Sequence, residues 1–179
     1  MVYIFLAQGF EECEALVPLD ILRRAGLEVK TVGVGAKVIE GSHGIRVECD
    51  IQENEASTEN LKAVILPGGM PGTINLEKSE TVQKFIDFAA EENLLIGAIC
   101  AAPSILGHKN LLAGKKATCF SGFEKELLGA EVSQERVEVC ENFITAYGAG
   151  AAFDFGFALT EKLTDWGKTL KLKKQMRYI

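Results

Sequence analysis

Leu94-Leu95-Ile96-Gly97-Ala98-Ile99-Cys100-Ala101-Ala102-Pro103 changes character at a single residue. Through Ile99 the run is wholly apolar, the pattern of a strand buried on both faces of a parallel sheet. From Ala101 the spacing predicts a helix, over Ala101–Leu106, and Cys100 lies at the junction. A strand that turns straight into a helix lifts the junction residue to the carboxyl edge of the sheet. That is the layout of a nucleophile elbow, with Cys where hydrolases place Ser. The helix N-terminus offers free N–H groups and a positive dipole end, which favour thiolate over thiol. Ala101 and Ala102 are small enough for a tight turn, and the Ala101 N–H is placed to face an oxyanion. The competing reading is a buried, inert thiol, a common fate for cysteine.

Outward from this stretch the chain alternates strands and helices. Val2–Ala7, Glu28–Val34, Ala63–Leu66 and Phe143–Tyr147 read as strands, with shorter ones at Lys116–Cys119 and Val137–Cys140. Val38–Glu40 and Ile45–Cys49, between glycines, read as a hairpin. Glu14–Ala25, Thr81–Glu91 and Gly150–Leu163 have helical spacing, and Gly26 stands where a helix C-cap belongs. Pro18 fits an early helical turn better than a middle one. Strands joined by helices imply right-handed crossovers, hence an α/β fold with a mostly parallel sheet and helices on both faces. With 179 residues and roughly 150 per domain, residues 1–179 form one domain.

Composition narrows the function. The net charge is −6, which argues against nucleic acid as the partner, since phosphate binding needs a basic face. The basic run Lys168–Arg177 reads as a solvated terminal helix. No apolar stretch of about 18 residues predicts a membrane span. The apolar start lacks a basic n-region and runs into Glu11 and Glu12, so it reads as a strand and not a signal peptide. Five scattered cysteines with no C-x-x-C pair, and only two histidines, predict a reduced, cytoplasmic protein without a metal site.

Sites in open α/β sheets form at the carboxyl ends of strands, and two further segments lie there. Leu66-Pro67-Gly68-Gly69 ends a strand in two glycines, so backbone amides can approach a ligand closely. It is also compatible with a plain turn. Gly9-Phe10-Glu11-Glu12-Cys13-Glu14 places three carboxylates at a helix start. Glu11 and Glu12 are expected to be exposed and solvated, complementing the dipole. Glu14, if it faces the sheet edge near Cys100, becomes a carboxyl of raised pKa that donates and accepts a proton. His108 follows Cys100 by eight residues, about 12 Å by helical rise, and reads as a helix C-terminal residue. Cys13 and Cys119 fall near the predicted site, leaving a disulfide or a substrate contact open; Cys49 and Cys140 are read as thiols without a role.

These motifs together resemble the ThiJ/PfpI superfamily, in the branch that includes the human Parkinson disease protein deglycase. The resemblance runs from about Val2 to Leu163. It is carried by Gly9–Ala15, Pro18–Gly26, Leu66–Gly69, Ala98–Pro103 and Thr145-Ala146-Tyr147-Gly148-Ala149-Gly150. It implies a flavodoxin-like three-layer α/β sandwich and a homodimer. It implies Cys100 as nucleophile, Glu14 as its protonated partner, and the amides of Gly69 and Ala101 as an oxyanion pocket, with Gly68 beside them. No cofactor is implied. The family's assigned activities are glutathione-independent glyoxalase and deglycase action on small aldehydes or glycated substrates, oxidation sensing at the cysteine, and chaperone activity. Two departures stand out. The protease-like branch has His directly after the cysteine, where this chain has Ala101. The branch resembled has a nearby His in a stretch matching Thr118-Cys119-Phe120-Ser121, and here Phe120 replaces it. His43 matches a dimer-interface position near the site and is a candidate partial substitute.

Overall fold

In a computed structural model, which describes residues 1–179, Val2–Leu6 forms β1, with every residue buried. Its two-residue period divides the core. Tyr3 and Phe5 join one apolar cluster, while Val2, Ile4 and Leu6 join another. The chain continues through α1 (Glu12–Arg24), β2 (Val29–Gly33), β3 (Val38–Glu40), β4 (Arg46–Glu48), β5 (Ile51–Gln52), β6 (Ala63–Leu66), α2 (Gly72–Lys78) and α3 (Glu80–Glu91). After these come β7 (Leu95–Ile99), α4 (Pro103–His108), β8 (Lys116–Ala117), β9 (Glu131–Val132), β10 (Val137–Cys140), β11 (Phe143–Ala146), α5 (Ala152–Leu163) and α6 (Trp166–Gln175).

The main sheet has the order β10-β11-β7-β6-β1-β2-β5. Every neighbouring pair is parallel except β10 with β11. Val82, Phe85 and Ile86 of α3 and Ile105 and Leu106 of α4 cover the Tyr3–Phe5 face. Ala15 and Leu22 of α1 and Phe155 and Leu159 of α5 cover the other. A fully buried side chain such as Phe5 or Phe155 contributes about 1.5–3 kcal/mol of apolar burial. This is the three-layer, flavodoxin-like arrangement expected. It brings the ends of β1, β6, β7 and β11 side by side, where the candidate residues lie.

Several boundaries differ from the sequence expectation. The helix after Cys100 begins at Pro103, because Ala101 and Ala102 are spent on the turn. The helix after β11 begins at Ala152, following a one-turn 3-10 helix at Ala149–Ala151. Helix α1 starts at Glu12, which moves Pro18 into mid-helix. Its backbone there packs against α5, since a Cβ on Gly156 would come within 3.2 Å of Pro18 Cα. The terminal run forms α6, which is more than a solvated helix. Its Leu172 is buried with Ile21, Ala25 and Phe157, and Lys173 sits 5.2 Å from the Phe157 ring centroid.

Candidate active site

Cys100 takes φ +67°, in the left-handed region, which a non-glycine residue occupies only when its surroundings hold it there. Those restraints are visible. Its N–H donates to Ala146 O at 2.8 Å, and its carbonyl accepts from Phe120 N at 2.8 Å. The next turn is fastened by Ser104 Oγ, which donates to Ala101 O at 2.7 Å. The thiol is half-buried, and the amides of Ala101 and Gly69 lie near enough to its sulfur to favour the thiolate.

Glu14 reaches the same point from the first turn of α1. It is 1% exposed, lies beside the Cys100 thiol, and its Oε2 accepts from Gly68 N at 2.9 Å. The Ala149 amide lies close enough to offset part of the rise in its pKa. Two loops bring it there. Glu11 N donates to Gly68 O at 2.9 Å and Gly72 N to Gly9 O at 3.1 Å, fastening the β1–α1 loop to the β6–α2 loop. The glycines are sterically required. A Cβ on Gly68 would lie 2.6 Å from Glu14 Oε2 and 2.7 Å from Cys100 Cβ. Gly69 has φ +89°, and a Cβ there would lie 2.3 Å from Glu11 N.

Burial works against one expectation. Burial raises Glu14 to about 7, with the Glu11 charge adding to the rise. Burial likewise raises Cys100 to about 12, followed by the Glu14 charge and its hydrogen bond. The Ala101 and Gly69 amides pull the thiol back only in part. Burial of the sulfur thus opposes the thiolate that the helix N-terminus favours. Helix α4 has only six residues and starts three positions after Cys100, whereas desolvation acts on the sulfur directly. The two groups lie side by side and titrate as a pair.

Glu11 and Glu12 are corrected too, since neither is simply solvated. Glu11 caps α1, its Oε2 accepting from Glu14 N at 2.7 Å. Glu12 is 5% exposed because the β3–β4 turn closes over it. His43 N donates to Oε1 at 2.8 Å, and His43 Nδ1 lies 2.8 Å from Oε2. That contact raises the His43 pKa. Within the chain His43 forms no hydrogen bond to Cys100 or Glu14, so it meets the site only through Glu12 and Glu11, 4.0 Å away. Glu11, Glu12 and His43 place ligand atoms within 4.8 Å of one another, yet both Glu12 oxygens are already engaged. Phe120 stands at the rim, 50% exposed, with Cδ2 3.2 Å from where a Gly148 Cβ would lie. All five cysteines are free, with Cys13 exposed and Cys119 buried.

Residues 1–162 match the DJ-1/PfpI family over all of these elements. The chain belongs to the DJ-1/PfpI family. Protein DJ-1 homolog B of Arabidopsis thaliana is 33% identical over 174 residues, covering 96% of this chain. The chain spans only 40% of that relative's length. A Caenorhabditis elegans protein named glutathione-independent glyoxalase DJR-1.2 is 29% identical over 168 residues, covering 93% of this chain and 89% of that one. Among solved structures, a DJ-1 superfamily protein of Salmonella typhimurium superposes with a TM-score of 0.94 at 31% identity, covering 99% of this chain and 98% of that one. Against this DJ-1/PfpI background, two site features went unread in the sequence. One is the Ala149 amide on Glu14, which has no side-chain signature. The other is the Glu12–His43 contact across 31 positions, which no local pattern announces.

Proposed function

We propose that the protein is a cofactor-independent glyoxalase, with deglycase-like action, on small reactive dicarbonyls. What carries the reading is the buried Glu14 carboxyl, raised to about 7, beside Cys100 and near the amides of Gly69 and Ala101. The Glu14 carboxylate takes the thiol proton as sulfur attacks the aldehyde carbon of methylglyoxal, and a C–S bond forms. The amides of Gly69 and Ala101 hold the developing oxyanion. Glu14, with a pKa near working pH, returns that proton to the oxyanion, giving the hemithioacetal, and as a carboxylate again carries the C1 proton to C2. The product is the thioester of a 2-hydroxy acid. Water cleaves it to lactate and restores the thiol, so methylglyoxal plus water gives lactate with no net redox change. The glyoxalase name of the nematode relative supports this chemistry. Family membership supports a homodimer, which sedimentation velocity tests, and five free thiols suit a reducing cytoplasm. Acid-quenched protein should carry one methylglyoxal equivalent on the Cys100 peptide. An adduct only on other residues would sink the reading.

A second reading is an oxidation sensor, favoured by Phe120 at the rim, which leaves the site without a histidine. There Cys100 is oxidised by peroxide to sulfenate and then sulfinate. Peroxide-treated protein would gain two oxygens on Cys100, and Glu14→Gln would still permit it while abolishing lactate formation.

A further inference from the structure

A cleft of about 220 Å³ opens beside the Cys100 site, at the ends of β8 and β11. Its wall includes Ser121, Glu124, Val132, Ser133, Gln134 and Tyr147. It is tied to the nucleophile on both sides. Phe120, between two cleft residues, donates its N–H to Cys100 O, and Tyr147 follows the residue whose carbonyl accepts from Cys100 N. Phe120 itself is not part of the cleft wall, its ring lying against Gly148.

The cleft has room for roughly seven waters, more than a three-carbon ketoaldehyde held at Cys100 would need. Its polar atoms alternate in role. Tyr147 O accepts from Arg136 Nη1 at 2.7 Å, leaving its own O–H to donate. Ser133 Oγ accepts from Glu135 N at 3.0 Å and likewise keeps a donor. Glu124 Oε2 accepts from Gly122 N at 2.8 Å, which leaves the other oxygen as an acceptor. Gln134 supplies both roles. Such a wall matches hydroxyl groups, each of which donates and accepts. Charge points the same way. The Glu124 carboxylate disfavours a phosphate or carboxylate in the cleft. The Arg136 guanidinium, fixed on Tyr147 and on Asp154 Oδ2 at 2.8 Å, disfavours a cation.

We propose that this cleft is a second subsite, which receives the neutral polyhydroxyl tail of a sugar-derived α-ketoaldehyde while its aldehyde end lies at Cys100. The placing of the aldehyde rests on the glyoxalase reading, but occupancy of the cleft is measurable without turnover. The probe is 3-deoxyglucosone, titrated into ¹⁵N-labelled Cys100→Ala protein, with Cys100→Ser as the second background and methylglyoxal as the short control. Reversible, saturable shifts are expected at the amides of Ser121, Ser133, Gln134 and Tyr147 with the six-carbon probe and not with methylglyoxal. Adding Gln134→Leu should weaken that binding about fivefold, the loss of one hydrogen bond. Shifts confined to Gly69 and Ala101, or an affinity indifferent to Gln134→Leu, would overturn the subsite. Lactate assays on the wild type report separately on the glyoxalase reading. Cleft shifts without lactate would reject that reading alone, and lactate without cleft shifts would reject the subsite alone.

Discussion

At Glu14 a carboxyl with 1% exposure lies beside the Cys100 thiol, and burial raises its pKa to about 7, with consequences for reactivity and stability. Below that value Glu14 is protonated and cannot accept the Cys100 proton. Alkylation of Cys100 by iodoacetamide should therefore rise as pH passes through about 7. Glu14→Gln should remove that inflection and leave only a rise toward the thiol's own high range. The stability sign follows from the same shift. The folded value is raised from the ordinary 4.5, so the stability from the neutral carboxyl is complete below about 4.5 and is lost as pH rises through about 7. Glu14→Gln should consequently be more stable than the wild type at pH 8, by up to about 3 kcal/mol. In urea melts that difference should vanish toward pH 4; a less stable variant at pH 8 would contradict the assignment.

Among the elements, α4 is the shortest helix beside the site, and it is held from outside. His108 at its end lies 2.5 Å by Nδ1 from Glu77 Oε1 on α2 and 2.9 Å by Nε2 from Glu126 Oε2. The Glu126 contact, then Glu77, raises its pKa. The ion pairs thus stabilise fully below about pH 6.5 and are lost as pH rises through the elevated value. His108→Ala should cost about 0.5–1 kcal/mol at pH 6, given solvent screening, and less at pH 9, as thermal melts at the two pH values would show. Sequence spacing placed His108 at a helix end but gave no view of two partners from distant segments. Helix α2 was hidden for a related reason. Its seven residues bury only Gly72, Thr73 and Leu76, too sparse a pattern to separate from a turn after Pro67-Gly68-Gly69. Cys100 was legible because its signal is local, an apolar strand meeting a turn. Glu12 was misread because its partner, the 41–45 turn, arrives through tertiary folding.

Over the whole molecule, apolar strand runs sufficed to read the parallel sheet and its two helical layers, since burial on both faces leaves a continuous signature. The last helix was harder to place. Its lysines suggested solvent, yet α6 lies beyond the residues that match the family and covers Ile21, Ala25 and Phe157 through Leu172. Leu172→Ala should cost about 2–4 kcal/mol, read as a lower urea midpoint, without altering Cys100 alkylation. A loss below about 0.5 kcal/mol would show that α6 is not part of the cooperative fold. The proposed function makes one chemical statement, that Cys100 and Glu14 act as a unit on a carbonyl. The direct measurement is lactate formation from methylglyoxal without glutathione, for the wild type, Cys100→Ala and Glu14→Gln, with folding verified by circular dichroism. Lactate from the wild type is expected, with none from Cys100→Ala and at least about a hundredfold less from Glu14→Gln. A folded wild type that forms no lactate, or lactate that survives Cys100→Ala, would contradict it.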